Sequence, residues 1–290
     1  MNRMTVIAAM ASAAILASCS NGQEAVSEFG IELYSVRELI GNANLYAKNH
    51  VQVLADLAAM GYSSVEAANF SDGLFYGVTP EQFKADCEAA GLEVLSSHTM
   101  RRLTDEELES GDLTAALEWW DMAIPAHVAA GVSYVVCPAF GTPKCLADLD
   151  LYCKYLNEIG RKCKDAGLQF GYHNHSHEFK TIDGEKMYDY MIAHTDPELV
   201  FFQMDVYWTV RGSNSPVKYF KEHPGLFKVL HIKDDCELGE SGMVGFDAIF
   251  NNVETAGTRE YIVEIEGSSV GDIMESCRIS ADYLKNNFAF

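Results

Sequence analysis

Eight short β-rich runs recur between residues 30 and 264, separated by stretches in which apolar residues return at helical spacing. The runs are 30–34 (GIELY), 63–66 (SSVE), 92–98 (LEVLSSH), 132–137 (VSYVVC), 168–173 (LQFGYH), 199–205 (LVFFQMD), 227–231 (FKVLH) and 261–264 (YIVE). Amphipathic segments lie between them, among them 45–60, 80–90, 115–130 and 145–166. Gly61, Gly91, Gly131 and Gly167 each close such a segment just ahead of the next run, where a left-handed residue ends a helix. Helix, glycine and buried strand, repeated every thirty residues or so, predict an α/β chain folded as a single closed (β/α)8 barrel over 28–290. A doubly wound open sheet is the competing architecture. Against it, neither G-x-G-x-x-G nor G-x-x-x-x-G-K-[ST] stands at a strand end. No Pro/Ser-rich linker divides the region, which points to one domain.

The first residues follow a different logic. Residues 1–18 carry one Arg and then a small-residue apolar run too short for a stable membrane span, ending in Leu16-Ala17-Ser18 before Cys19. They resemble a bacterial lipoprotein signal. The resemblance implies cleavage before Cys19, lipidation of its sulfur, and a polar tether over 19–27. The expected location is the cell envelope outside the cytoplasmic membrane, with membrane contact only through that N-terminal lipid anchor. A plain cleaved signal with an incidental Cys is the alternative. The seven other cysteines match no C-x-x-C pattern and read as small buried hydrophobes.

Charge removes one class of partner. With 21 Lys+Arg against 42 Asp+Glu the formal net charge is −21, which repels phosphodiester backbones, so no nucleic acid is expected.

The chemistry concentrates where the last four runs end. The fifth enters Y-H-N-H-S-H-E-F (172–179), the sixth ends at Asp205, the seventh at His231 and the eighth at Glu264. Barrel active sites lie at the C-terminal ends of the strands, so these side chains are expected to converge. Any one of them alone reads more readily as a cap or a satisfied polar group. Four in succession read as a ligand set for Mn, Zn, Co or Fe, whereas Mg prefers oxygen-only surroundings.

The segments GIELYSVR (30–37), GYSSVE (61–66), SSH (96–98), GYHNHSHEF (171–179), MDVYW (204–208), HIKD (231–234) and YIVE (261–264) resemble the xylose isomerase-like TIM-barrel superfamily, closest to its sugar phosphate isomerase/epimerase branch. The resemblance covers nearly the whole chain after the tether. It implies one divalent metal ion held by His173, Asp205, His231 and Glu264, and a small-molecule carbohydrate substrate. Glu264 would be the base that moves the proton, with His175 or Glu178 second, and Glu178 could also return as a ligand. Which of His173, His175 and Glu178 stands nearest the ion is open. The resemblance also implies substrate contacts from Glu66, His98 and Lys233, with Tyr207 and Trp208 as apolar wall or as packing. The family's epimerases carry a Glu where His173 stands and use it as one of two bases, so that two-base arrangement is in question here.

A divalent ion chelating a carbonyl and a neighbouring hydroxyl stabilises the enediolate formed on deprotonation. The expected activity is therefore a sugar isomerase or epimerase, acting on a non-phosphorylated sugar or keto-sugar because phosphorylated sugars are chiefly cytoplasmic and no phosphate cradle is evident. A 3-keto-glycoside lyase or hydrolase, or a keto-sugar dehydratase, using the same enediolate is the first alternative. A non-catalytic sugar-binding lipoprotein is the second. Base rates alone point to a homo-oligomer.

Overall fold

A computed structural model describes residues 28–288. The signal segment 1–18, Cys19 and the rest of the tether to residue 27 lie outside the described residues. Eight strands close a barrel: β1 (Gly30–Glu32), β2 (Ser64–Ala67), β3 (Glu93–His98), β4 (Tyr134–Cys137), β5 (Gln169–His173), β6 (Val200–Asp205), β7 (Val229–Lys233) and β8 (Glu260–Glu264). Every neighbouring pair is parallel, and β1 joins β8 to complete the ring. The predicted (β/α)8 TIM barrel is the observed fold, and each β-rich run supplies one strand.

The helices begin and end as their sequences dictate. Asn42 and Thr79 cap the helices Ala43–Ala59 and Pro80–Ala90 through side-chain oxygens, the second with Pro at its first turn. Gly61, Gly91, Gly131 and Gly167 all take positive φ, as the pattern required. No described helix is long and apolar enough to cross a membrane. The described cysteines are free, and five of the seven are buried, in keeping with a packing role.

Side-chain alternation divides each strand between two cores. Residues facing the helices belong to the large outer core, whereas Leu95, Tyr134, Val136, Phe201, Val229 and Ile262 form a separate cluster inside the ring. Small residues on the other strands make room for it: a Cβ on Gly171 would stand 2.6 Å from the Phe201 ring. Two residues further along, the same inward parity delivers polar side chains instead: Gln203 after Phe201, His231 after Val229, Glu264 after Ile262 and His173 after Gly171. An apolar plug thus closes the bottom of the barrel and supports a polar layer at its C-terminal mouth. β3 needs a correction to join that layer. Val65 pairs with Val94 but Glu66 pairs with Ser96, so Leu95 is skipped and Ser96 and His98 are re-aimed at the polar layer.

Candidate active site at the barrel mouth

Ligand atoms of His173, Asp205, His231 and Glu264 all lie within 4.8 Å of one another, and all four residues are buried. His173, Asp205 and Glu264 end β5, β6 and β8, whereas β7 runs on past His231 to Lys233, so the histidine expected at that strand's end lies two residues before it. Two of their polar atoms have no partner: Nδ1 of His173 and Oδ2 of Asp205 are buried and unbonded. Native interiors rarely leave such atoms orphaned, and each costs on the order of 1–3 kcal/mol unless something fills the gap.

The electrostatics suit an ion at His173 and Asp205; at His231 burial is outweighed by Glu66 and Glu264, which push it well above the ordinary imidazole range, so it would give up a proton to ligate. Burial, then the neighbouring His231, His175 and His98, holds His173 well below the ordinary imidazole range, so it is neutral with a lone pair free to ligate. Burial and the adjacent Glu264 push Asp205 well above the usual carboxylate range. Burial would raise Glu264 too, but Lys233 and His231 outweigh it and hold that carboxyl well below its usual value. A divalent ion coordinated by one imidazole pair and one carboxylate pair would bond both orphaned atoms and remove the repulsion between Asp205 and Glu264. The donor set fits such an ion.

His231 is fixed from both sides. Its Nδ1 lies 3.1 Å from Glu264 Oε2 and its Nε2 lies 2.6 Å from Glu66 Oε1. Glu66 accepts further bonds from Ser96 Oγ at 2.5 Å and Gln203 Nε2 at 2.8 Å, and pairs with His98 Nε2 at 3.0 Å. Burial alone would raise Glu66, yet His98 and His231 bring it down to about 2. The structure therefore places Glu66, expected at the substrate, as a saturated carboxylate bracing His231. His98 is engaged likewise, with Nδ1 2.7 Å from Glu32 Oε1 and Nε2 2.8 Å from Gln203 Oε1. Burial opposes its charge, but Glu66 and Glu32 push it up to about 9.

Lys233 Nζ lies 3.6 Å from Glu264 and 3.3 Å from Glu266, under the rings of Tyr207 and Trp208 at 6.0 and 5.8 Å. Tyr207 is tied down by a 2.5 Å bond to Asp235, whereas the buried indole N–H of Trp208 is unpartnered. His175 sits beside His173 and Trp208, its ring 4.9 Å from the first and 5.8 Å from the second. Glu178 stays apart from the four-residue cluster: its oxygens accept from Tyr172 Oη at 2.8 Å and His175 N at 2.9 Å.

Three contributors were missed in the sequence. Asn174 Oδ1 accepts from Asp205 N at 3.2 Å and so locks the end of β5 to the end of β6 beside His173 and Asp205. Glu32 and Gln203 complete the buried network. Their signal was a polar residue inside an otherwise apolar strand, at I-E-L and F-Q-M. Beside this layer, over the ends of β1 and β2, a cavity of about 240 Å³ is lined by residues including Tyr34, Arg37, Asn42, Asn69 and Tyr76.

Fold and mouth together define a TIM-barrel protein with a buried, metal-competent cluster where the strands end. Residues 54–287 match the xylose isomerase-like TIM barrel family model, and the chain belongs to that family. A sugar phosphate isomerase/epimerase structure from Parabacteroides distasonis ATCC 8503 is 31% identical over 90% of this chain and 94% of its own, with a TM-score of 0.80. A second structure so described from the same organism is 33% identical over 88% and 96%, with a TM-score of 0.79. The D-allulose 3-epimerase of Methylomonas sp., in complex with D-allulose, shares the fold at 15% identity, covering 90% of this chain and 97% of its own with a TM-score of 0.70. No curated protein matches the sequence.

Proposed function

We propose that this chain is a divalent-metal-dependent sugar isomerase or epimerase that works through an enediolate on a non-phosphorylated sugar or keto-sugar. The observation that carries the reading is the pair of orphaned donors, His173 Nδ1 and Asp205 Oδ2, in one cluster with His231 and Glu264. These four residues would hold the ion, with Mn, Zn, Co or Fe better suited than Mg to two imidazoles and two carboxylates. When bound, the ion supplies Lewis acidity that makes the C–H beside a sugar carbonyl removable.

The protein's own groups supply the rest. Glu264 is kept ionised by Lys233 and His231, the state a base requires, and Lys233 can donate to a substrate oxygen from beside it. Trp208 offers its unpartnered indole N–H and an apolar face at the same mouth. A neutral substrate suits the adjoining cavity, whose Arg37 already donates to the carbonyls of Tyr34 and Glu266. An exported, lipid-anchored protein would meet such sugars in the cell envelope.

One observation favours a second reading. His173 is neutral and stands where a second carboxylate base would be needed, so one base, Glu264, serves the face of the substrate it meets. Removal of one proton followed by loss of a β-substituent needs no second base across the ring, which suits lyase cleavage of a keto-glycoside. Elemental analysis of protein purified without chelator tests the shared premise. Wild type should carry about one more divalent ion per chain than Asp205→Ala/His231→Ala, and equal metal in the two proteins would refute the site.

A further inference from the structure

The loop after β5 contains a buried carboxyl with no hydrogen bond from a Lys or Arg. Glu178 is fully buried, and its two hydrogen-bond donors, Tyr172 Oη and His175 N, are neutral. Among the described ion pairs its one partner is His177, whose Nε2 lies 3.4 Å from Glu178 Oε1 without hydrogen-bond alignment. Two more polar atoms beside it are orphaned: Nδ1 of His175 and Nε2 of His177 are both buried and unbonded. Ligand atoms of these three residues lie within 4.8 Å of one another.

We propose that His175, His177 and Glu178 form a second divalent-cation site, separate from the four-residue cluster and suited to Zn²⁺. An isolated buried carboxylate and unbonded buried imidazole nitrogens are each costly. One cation satisfies all three. Two imidazole nitrogens and a carboxylate are a familiar zinc donor set that leaves a position for water, and partial exposure of His177 gives the ion a way in. Tyr172 Oη on the carboxylate is the outer hydrogen bond that orients such a ligand.

A loop clamp is the simpler use of Glu178, and it accounts for the two hydrogen bonds. It leaves both imidazole nitrogens unexplained. The ion would fasten the 3₁₀ turn His177–Phe179 to β5 and thereby steady His173, which begins the same loop. This site shares no ligand with the proposed catalytic one, so the two can fail separately.

The test is Zn²⁺ titration of the chelator-stripped full chain against a chromophoric chelator, with thermal melts in parallel. Wild type should take up two ions, His175→Ala/His177→Ala should keep the mouth site alone, and Asp205→Ala/His231→Ala should keep this one alone. His177→Ala, a change at a partly exposed residue, should weaken one of the two sites at least tenfold and decides the matter if the double variant fails to fold. One ion in wild type that survives in both His177 variants overturns the proposal and leaves the mouth site standing. An Asp205→Ala/His231→Ala protein that binds as wild type does overturns the mouth site instead, and no zinc uptake at all overturns both.

Discussion

His231 Nε2 lies 2.6 Å from Glu66 Oε1 while its Nδ1 faces Glu264 at 3.1 Å, so a carboxylate on β2 fixes the ring of a β7 histidine and, on the proposed reading, leaves Nδ1 as the nitrogen for the metal. Carboxylates that bind the far nitrogen of a ligand histidine orient the ring and raise its basicity. Glu66→Gln keeps the shape and removes the charge. Metal affinity, read by chelator competition, should fall by about 10–100-fold. Glu66→Ala is expected to be worse for the fold, since it strips the acceptor from Ser96, His98, His231 and Gln203 and leaves buried partners unpaired. A loss of about 3–5 kcal/mol in denaturant unfolding is the expected scale.

Asp205→Asn should separate stability from binding. Burial and Glu264 make the ionised form costly in the metal-free protein, so the amide should leave metal-free stability equal or higher. Added metal should then raise the melting temperature of wild type, by the equivalent of about 2.7 kcal/mol at 100 times Kd, and leave the variant where it was. Differential scanning calorimetry with and without metal reads both effects.

His127 gives the fold an acid-sensitive point away from the metal cluster. It is fully buried, its Nδ1 donates to Ala123 O at 2.7 Å, and its Nε2 accepts from Thr99 Oγ1 at 2.8 Å. Burial lowers its pKa from 6.5 to about 4. The unfolded chain therefore binds a proton that the folded chain refuses. The contribution is complete above pH 6.5 and is lost as pH falls toward 4, on the order of 3 kcal/mol in all. Urea unfolding across that window should show a shallower acid slope in His127→Gln than in wild type.

Gly160 tests the contact between the helix Leu146–Asp165 and the start of β6. A Cβ there would stand 2.4 Å from the Leu199 carbonyl oxygen, with backbone that cannot swing aside. Gly160→Ala should cost about 1–3 kcal/mol despite its better helix propensity, read as a lowered urea midpoint. No change in midpoint would mean that this helix–strand approach is looser than described.

The barrel was legible because its signals are local and repeated: a terminal glycine with positive φ follows directly from Gly91 or Gly131 standing at a helix end. Two small hairpins, Phe70–Phe75 and Thr181–Lys186, were overlooked although Asp72-Gly73 and Asp183-Gly184 both carry the positive φ values of a tight hairpin turn. Strands of two residues show no alternation to find. The four-residue cluster was readable because His173, Asp205 and Glu264 end their strands and His231 lies two residues before the end of β7. Whether Glu66 and His98 meet a substrate or brace His231 depends on which side chains cross the barrel. Glu66 and His231 are 165 residues apart, a contact that no spacing along the chain encodes.

The most direct measurement of the central claim is deuterium uptake from D₂O into unphosphorylated keto-sugars, followed by NMR with metal-loaded protein. D-Fructose, D-allulose and a 3-keto-glucoside, each beside its phosphorylated counterpart where one exists, form the panel. Exchange or release at the carbon next to the carbonyl is predicted with at least one unphosphorylated sugar, together with a drop of at least a hundredfold in Glu264→Gln. No exchange with any of them, or turnover confined to the sugar phosphates, would contradict the account.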